Sequence, residues 1–369
     1  MVAKAQVHFA DMRVGSDETL PRKLAGLAKA AGIEKIDFRG KFVALKVHFG
    51  EQGNLAHVRP QYARTLVDLV KELGGRPFLT DANTLYAGSR RNALDHLDTA
   101  YGNGFSPFSA GCHVIIADGL TGVDEVAVPV VGGQYVKEAK IGRAVMDADV
   151  VLTLNHFKGH ECAGFGGAIK NVGMGCASRT GKMEQHAAGK PEVDAERCAG
   201  CRRCLAACGA DAVTITREDK ALIDPARCVG CGRCVGACPI DAIPPPYDAS
   251  NDQLCRKIAE YAWAVLRGRP HFHVSLAIDL SPFCDCYPNN DAPFAPDVGL
   301  FASFDPVAID VACADAVNRQ PPNPGSLMDG RAPGRDHFAT ISPDTDWRVC
   351  IDHCVRLGLG RKDYELTRI

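Results

Sequence analysis

The stretch FVALKVHFGEQGNLAHVRPQYARTLVDLVKELGGRPFLTD, residues 42–81, sets the fold class. Its first part, Phe42–Phe49, reads as a strand and stops at Gly50-Glu51-Gln52-Gly53. Pro60–Leu73 reads as a helix, with Pro60 suited to the first turn and Gly74-Gly75 suited to the stop. Arg76–Thr80 is a second strand and delivers Asp81 at its C-terminal end. Strand, helix and strand in succession make the unit from which parallel sheets are built.

The same alternation continues outward. Ser89 is suited to cap a helix through Leu97, and His113–Ala117 reads as a buried strand followed by Asp118. Glu138–Met146 reads as helical and Val150–Asn155 as a strand. Further on, Asp252–Leu266 reads as a helix, Phe272–Asp279 as a strand and Asp305–Val317 as a helix. The fold class is therefore α/β, a mostly parallel sheet with flanking helices. In such sheets ligands bind beyond the C-terminal strand ends, so Asp81, Asp118 and Asn155-His156 should collect at one edge.

Between these halves the composition changes. Two runs sit 30 residues apart: Cys198-x2-Cys201-x2-Cys204-x3-Cys208, and Cys228-x2-Cys231-x2-Cys234-x3-Cys238-Pro239. Asp211-Ala212-Val213 and Asp241-Ala242-Ile243 repeat at the same interval. This is the spacing of a bacterial-type module with two [4Fe–4S] clusters. Three cysteines of a run hold corners of one cluster, and the fourth reaches across to the other. One set is thus Cys198, Cys201, Cys204 and Cys238, and the other Cys228, Cys231, Cys234 and Cys208. Zinc also takes CxxC pairs, but as two pairs rather than two runs of four. Gly209 stands after Cys208 where the pattern usually has proline, which loosens a turn and removes no ligand. Arg202, Arg203 and Arg233 lie inside the ligand loops and should raise the cluster potentials. The expected division is residues 1–190 as the first part of an α/β domain, 191–246 as an inserted α+β ferredoxin-like module, and 247–369 as the second part. The alternative is two separate α/β domains flanking the module.

The bulk properties narrow the partners. The chain has 369 residues, 46% of them hydrophobic and 23% charged, and a net charge of −2. That balance points away from nucleic acid and from anionic membranes. No apolar run approaches the length of a membrane span, and Met1–Asp11 lacks an apolar stretch long enough for a secretory signal. A cytoplasmic location is the expectation. Seventeen cysteines in such a chain favour metal binding over disulfides.

Outside the module, the richest segment is 155–176, from Asn155-His156-Phe157-Lys158-Gly159-His160 to Gly173-Met174-Gly175-Cys176. It follows a strand and combines glycines with cations and thiols, which suits an anion site. It is neither a Walker loop nor a dinucleotide GxGxxG. A plain glycine-rich turn with solvated cations is the alternative. Cys284-Asp285-Cys286 offers two thiols that can face one metal more easily than they can bridge each other, given an extended loop with Asp285 pointing away. With Cys176, and with His160 or His186, they would make a third metal or cluster site. Reduced free thiols are the alternative. Cys112, Cys255, Cys313, Cys350 and Cys354 read as packing residues.

These residues carry a resemblance. Lys46-Val47-His48-Phe49-Gly50-Glu51, Lys158-Gly159-His160, Gly166-Gly167-Ala168-Ile169-Lys170-Asn171, Gly173-Met174-Gly175-Cys176, Cys284-Asp285-Cys286 and Asp305-Pro306-Val307-Ala308-Ile309-Asp310 resemble the family of domains of unknown function numbered 362. Some of its members carry a two-cluster ferredoxin module. The resemblance implies an iron–sulfur protein of bacteria or archaea and supplies no reaction. Two functions are expected to compete. One is a ferredoxin-coupled reductase, with Lys46, His48, Asp81, His156, Lys158, His160, Lys170 and Asn171 around a small anionic substrate, and with His48, Lys158, His160 and Lys170 carrying the chemistry. The other is a non-enzymatic electron carrier or metallo-cofactor assembly factor whose α/β part is a docking scaffold. Either would use a redox partner protein.

Overall fold

The strand and helix segments close into one eight-stranded sheet in the computed structural model, which describes residues 4–86, 88–187, 190–332 and 334–369. The strands are β1 (Ala5–Ala10), β2 (Phe42–Val47), β3 (Arg76–Asp81), β4 (Val114–Ile116), β5 (Val150–His156), β6 (His271–Ala277), β7 (Gly299–Ser303) and β8 (Tyr364–Arg368). Their order is β8-β1-β7-β6-β5-β2-β3-β4. All neighbours run parallel except that β7 is antiparallel to both β1 and β6. The sheet is thus mostly parallel with flanking helices.

The two faces of the sheet differ in chemistry. On one, Val43, Leu45, Val47, Leu152 and Leu154 pack with Leu24, Leu27, Leu66 and Val70 of the helices Leu20–Ala30 and Pro60–Glu72. The other face is covered by Ala168–Gly173, Asn251–Leu266 and Pro306–Asn318. There the middle strands alternate to polar residues: Lys46, Thr80, Thr153, Asn155, His273 and Ser275 are all buried. They are joined by hydrogen bonds rather than by apolar packing. Thr153 Oγ1 meets His273 Nδ1 at 2.9 Å, and Asn155 Nδ2 donates to Thr153 Oγ1 at 3.0 Å.

Local propensity was overridden in two places. Glu138–Met146 is not one helix. Glu138–Gly142 is a strand that pairs with Glu125–Pro129, because that pairing buries Ala139 and Ile141, and only Arg143–Asp147 is helical. Ser89 does not cap a helix. Its hydroxyl bonds Glu51, and Asn92 caps Ala93–Gly102 by accepting from the Leu94 and Asp95 amides. β1, β7 and β8 have no counterpart in the sequence reading.

Residues 191–246 form two short helices, Arg203–Ala207 and Arg233–Ala237, and a hairpin of Val213–Ile215 with Ala221–Ile223. The 30-residue repeat is present in the backbone. The Asp194 amide donates to Ala242 O at 2.8 Å and the Asp224 amide to Ala212 O at 2.7 Å. Arg202 and Gly232 take left-handed φ of 61° and 69° at matching positions. Cys198, Cys204, Cys234 and Cys238 share an apolar cluster with Val213, Val235, Ile243 and Met183.

Helix Ala168–Gly173 touches Asn251–Leu266 so closely that a methyl at Gly173 would overlap the Ile258 carbonyl oxygen. Gly173→Ala should cost about 1–3 kcal/mol of stability in denaturant unfolding. Gly26→Ala, with open space in helix Leu20–Ala30, should instead stabilise by roughly 0.5–1 kcal/mol.

Candidate functional site

A cavity of about 790 Å³ opens at the C-terminal edge of the sheet. Its floor is set by a buried ion network. Lys46 Nζ lies 2.9 Å from Asp81 Oδ1 and donates to Asn171 Oδ1 at 2.7 Å. Arg90, from the loop after β3, reaches Asp81 at 3.4 Å and Glu51 at 3.1 Å. Burial alone would raise the Asp81 carboxyl. Lys46, His48, His96 and Arg90 outweigh it and hold Asp81 well below the usual carboxylate range. Lys46 stays behind the wall and positions Asn171, which lines the cavity. Asp118 is also behind it, accepting from the Asn83 amide and side chain.

The opposite wall carries the thiols. His156 ends β5, with Nδ1 2.8 Å from Asp285 Oδ1 and Nε2 2.8 Å from Ile278 O. Lys158 Nζ lies 3.6 Å from the other Asp285 oxygen. Asp285 is thereby turned away from its neighbours, and Cys284, Cys286 and His160 bring their ligand atoms within 4.8 Å of one another. By spacing alone these three are placed as ligands of one metal ion would be. Lys170 Nζ stands 3.8 Å from Cys284 Sγ. The Cys286 thiol donates toward Cys284 and pulls its thiol well below the ordinary value, while Cys286 itself is pushed up. His160 Nδ1 accepts from the Cys162 and Ala163 amides at 3.1 and 3.2 Å, which puts the proton of the neutral ring on Nε2.

The expected site residues fall into two groups. His48, Asp81, His156, Lys158, His160, Lys170, Asn171 and Cys286 line the cavity together, with Cys284 buried just behind Cys286. Cys176 is not with Cys284 and Cys286. It is enclosed in the apolar core, where its carbonyl accepts from the Gly142 amide and burial pushes its thiol up to about 11. The glycine-rich segment turns back as a helix before reaching Cys176, which carries that thiol away from the edge. His186 lines the cavity but stands outside the thiol trio, and burial lowers its ring to about 3. Sequence reasoning missed Arg90, Tyr86 and Lys182. Arg90 and Tyr86 sit in an irregular loop with no motif. Lys182 carries no motif, since Met183 follows it where a Walker loop has Ser or Thr. It lies one helical turn before His186 on Arg179–His186, and both face the cavity while Met183 faces the cysteine-rich cluster.

The eight module cysteines sort into two small cavities. Cys198, Cys201, Cys204 and Cys238 line one; Cys208, Cys228, Cys231 and Cys234 line the other. Backbone amides point at the sulfurs in matching pairs: Ala212 N to Cys208 Sγ at 3.3 Å, and Ala242 N to Cys238 Sγ at 3.2 Å. Four thiols per cavity with amide donors behind them fit a cluster held by thiolates.

Residues 43–315 match the family described as a domain of unknown function, DUF362. The chain belongs to the DUF362 family. Among curated proteins, a thylakoid-associated protein of Synechocystis sp. is 29% identical over 132 residues, 34% of this chain and 34% of that protein. The chain therefore aligns with about a third of that relative. A crystal structure of a Thermotoga maritima protein superposes with a TM-score of 0.41 and 12% identity, covering 82% of this chain and 60% of that one. The lactate racemase apoprotein of Thermoanaerobacterium thermosaccharolyticum gives 0.36 and 12%, covering 75% and 56%. Among the described residues of this DUF362 chain, no helix is long and apolar enough to cross a membrane.

Asp81→Asn leaves the buried Lys46 and Arg90 undercompensated and should cost about 3–5 kcal/mol at pH 7 in denaturant unfolding. The Asp81 carboxyl is depressed in the folded chain. Its contribution is therefore complete above the unfolded carboxylate pKa of about 3.9 and is lost as pH falls through the lower folded value. The gap between wild type and variant should hold from pH 7 to 5 and narrow only in stronger acid.

Proposed function

We propose that the chain is an iron–sulfur redox enzyme, a ferredoxin-coupled reductase acting on a small anionic substrate in the cavity. The observation that carries this is the sorting of the eight cysteines. Cys238 falls with the first run and Cys208 with the second, the crossed pattern of a two-cluster module. Cys198, Cys201, Cys204 and Cys238 would hold one [4Fe–4S] cluster, and Cys208, Cys228, Cys231 and Cys234 the other. Such clusters, when bound, supply electrons one at a time.

The chain's own residues suit the rest of the work. Lys158, Lys170 and Lys182 give the cavity positive charge with which to hold and orient an anion. Burial lowers Lys182 to about 8 against the pull of Asp118 and Asp81, so its ammonium can give up a proton near neutral pH. His48 has its Nδ1 occupied by the Gly50 amide at 3.0 Å, and His160 by two amides, so each neutral ring keeps an N–H on Nε2 for a substrate oxygen. Helix Arg179–His186 lies between the cavity and the cysteine cluster, with Lys182 and His186 lining the one and Met183 packed in the other. A bare electron carrier has no use for a cavity of about 790 Å³ lined with cations, which favours the enzyme over the carrier or assembly factor.

Anaerobically purified protein should contain about eight irons and eight sulfides per chain. About four irons, or zinc alone, would contradict the assignment. Cys238→Ala should damage the cluster of Cys198, Cys201 and Cys204 and leave that of its sequence neighbours. Anion affinity, followed by calorimetric titration with small carboxylates and phosphate, should weaken as pH rises through about 8, where Lys182 loses its charge beside Asp118, Asp81 and Lys46. Lys182→Met should remove that step.

A further inference from the structure

The thiols of Cys284 and Cys286 have no place in the cysteine module, yet they meet at the cavity wall. Spacing alone favours a shared metal over a bridge because it assumes an extended loop. The loop is instead folded: the Tyr287 amide donates to Cys284 O at 3.0 Å, closing a turn over residues 284–287. A turn draws residues one apart toward the Cα separation that a disulfide needs. Asp285 is held outward by His156 and Lys158, leaving the two sulfurs and a His160 ring nitrogen within 4.8 Å of one another. With Nδ1 accepting two backbone amides, the neutral His160 ring keeps its proton on Nε2 and has no free lone pair for a metal. Lys170 is a second donor, 3.8 Å from Cys284 Sγ. The sulfurs are also unequal in access. Cys286 lines the cavity and Cys284 is 1% exposed.

We propose that Cys286 and Cys284 are a redox-active dithiol, an attacking and a resolving cysteine, and that the small anionic substrate is a disulfide. This rests on the redox reading of the chain and names the substrate class of the same cavity. Cys286 passes its proton to the neighbouring Cys284 thiolate and attacks one sulfur of the substrate disulfide. An S–S bond forms, the substrate S–S bond breaks, and the first substrate thiolate leaves with the proton handed on from Cys284. Cys284, again a thiolate, then attacks the Cys286 sulfur of the mixed disulfide and expels the second substrate thiolate, which takes a proton from the Lys170 ammonium, leaving Cys284 and Cys286 bridged. The substrate gains two electrons from the dithiol and two protons, one that began on Cys286 and one from Lys170. Return to the dithiol takes two electrons, one at a time, from an external donor of the ferredoxin class, and two protons from solvent.

The probe is 5,5′-dithiobis(2-nitrobenzoate), a small anionic disulfide, mixed anaerobically with reduced holoprotein. Relative to a Cys284→Ser/Cys286→Ser baseline, the wild type should release about two equivalents of thiolate in a fast phase and yield a Cys284–Cys286 disulfide in mapped peptides. Cys284→Ser should release about one equivalent and retain the adduct on Cys286. Cys286→Ser should show no fast phase. An adduct on Cys286 in the wild type without a bridge would overturn the proposal. So would no fast phase, or a stoichiometric metal that both single variants lose. Iron counted in the same samples separates the two claims: about eight irons with a failed thiol test removes the dithiol and leaves the redox reading standing.

Discussion

A carboxylate buried in the middle of the fold constrains the rest of it. Asp81 ends β3 at 2% exposure, and an isolated charge there would cost several kcal/mol. Lys46 from β2 and Arg90 from the following loop compensate it, and each is tied in turn to a cavity wall. Lys46 fixes Asn171, and Arg90 fixes Glu51 and Tyr86. The network continues across the sheet. Asn171 Nδ2 donates to Asn155 Oδ1 at 2.8 Å, and Asn155 leads through Thr153 to His273 and His271. A hydrogen-bonded stripe replaces apolar packing on one sheet face, so strand register and the position of helix Ala168–Gly173 are set by partners with fixed geometry.

Against this rigid floor the cavity faces two sources of chemistry. One is the thiol corner, where Lys158, Lys170 and His160 crowd around Cys284 and Cys286. The other lies behind Arg179–His186, whose Lys182 and His186 face inward while Met183 is packed among the module cysteines. The chain order explains the arrangement. The cysteine-rich segment leaves the α/β part just after this helix and returns through Pro244-Pro245-Pro246, so its own apolar cluster is held against the helix from both ends.

Much of this was legible in the sequence, for reasons that differ by region. The parallel strands are short apolar runs closed by glycine or acid, so β2, β3 and β5 and the helix between β2 and β3 appear nearly at their read boundaries. The crossed cysteine spacing is a covalent-scale constraint and survives any local rearrangement. Glu138–Gly142 was misread because its composition suits a helix, while its state is decided by pairing with Glu125–Pro129. Arg90 was invisible because its partners Glu51 and Asp81 lie on other segments, and no spacing encodes a contact made in three dimensions. Cys176 shows the converse: it is near the glycine-rich turn in sequence, but helix Ala168–Gly173 carries it into the core, away from the edge.

Two clusters held in the crossed cysteine frame would sit side by side, one helix away from the cavity. Electron paramagnetic resonance of the fully reduced holoprotein reads that arrangement. The expected result is a broadened, spin-coupled spectrum of two interacting [4Fe–4S] centres that collapses to a simple single-cluster signal when the Cys198–Cys201–Cys204–Cys238 set is disrupted. A lone uncoupled signal in the intact protein, or no paramagnetic iron, would contradict it.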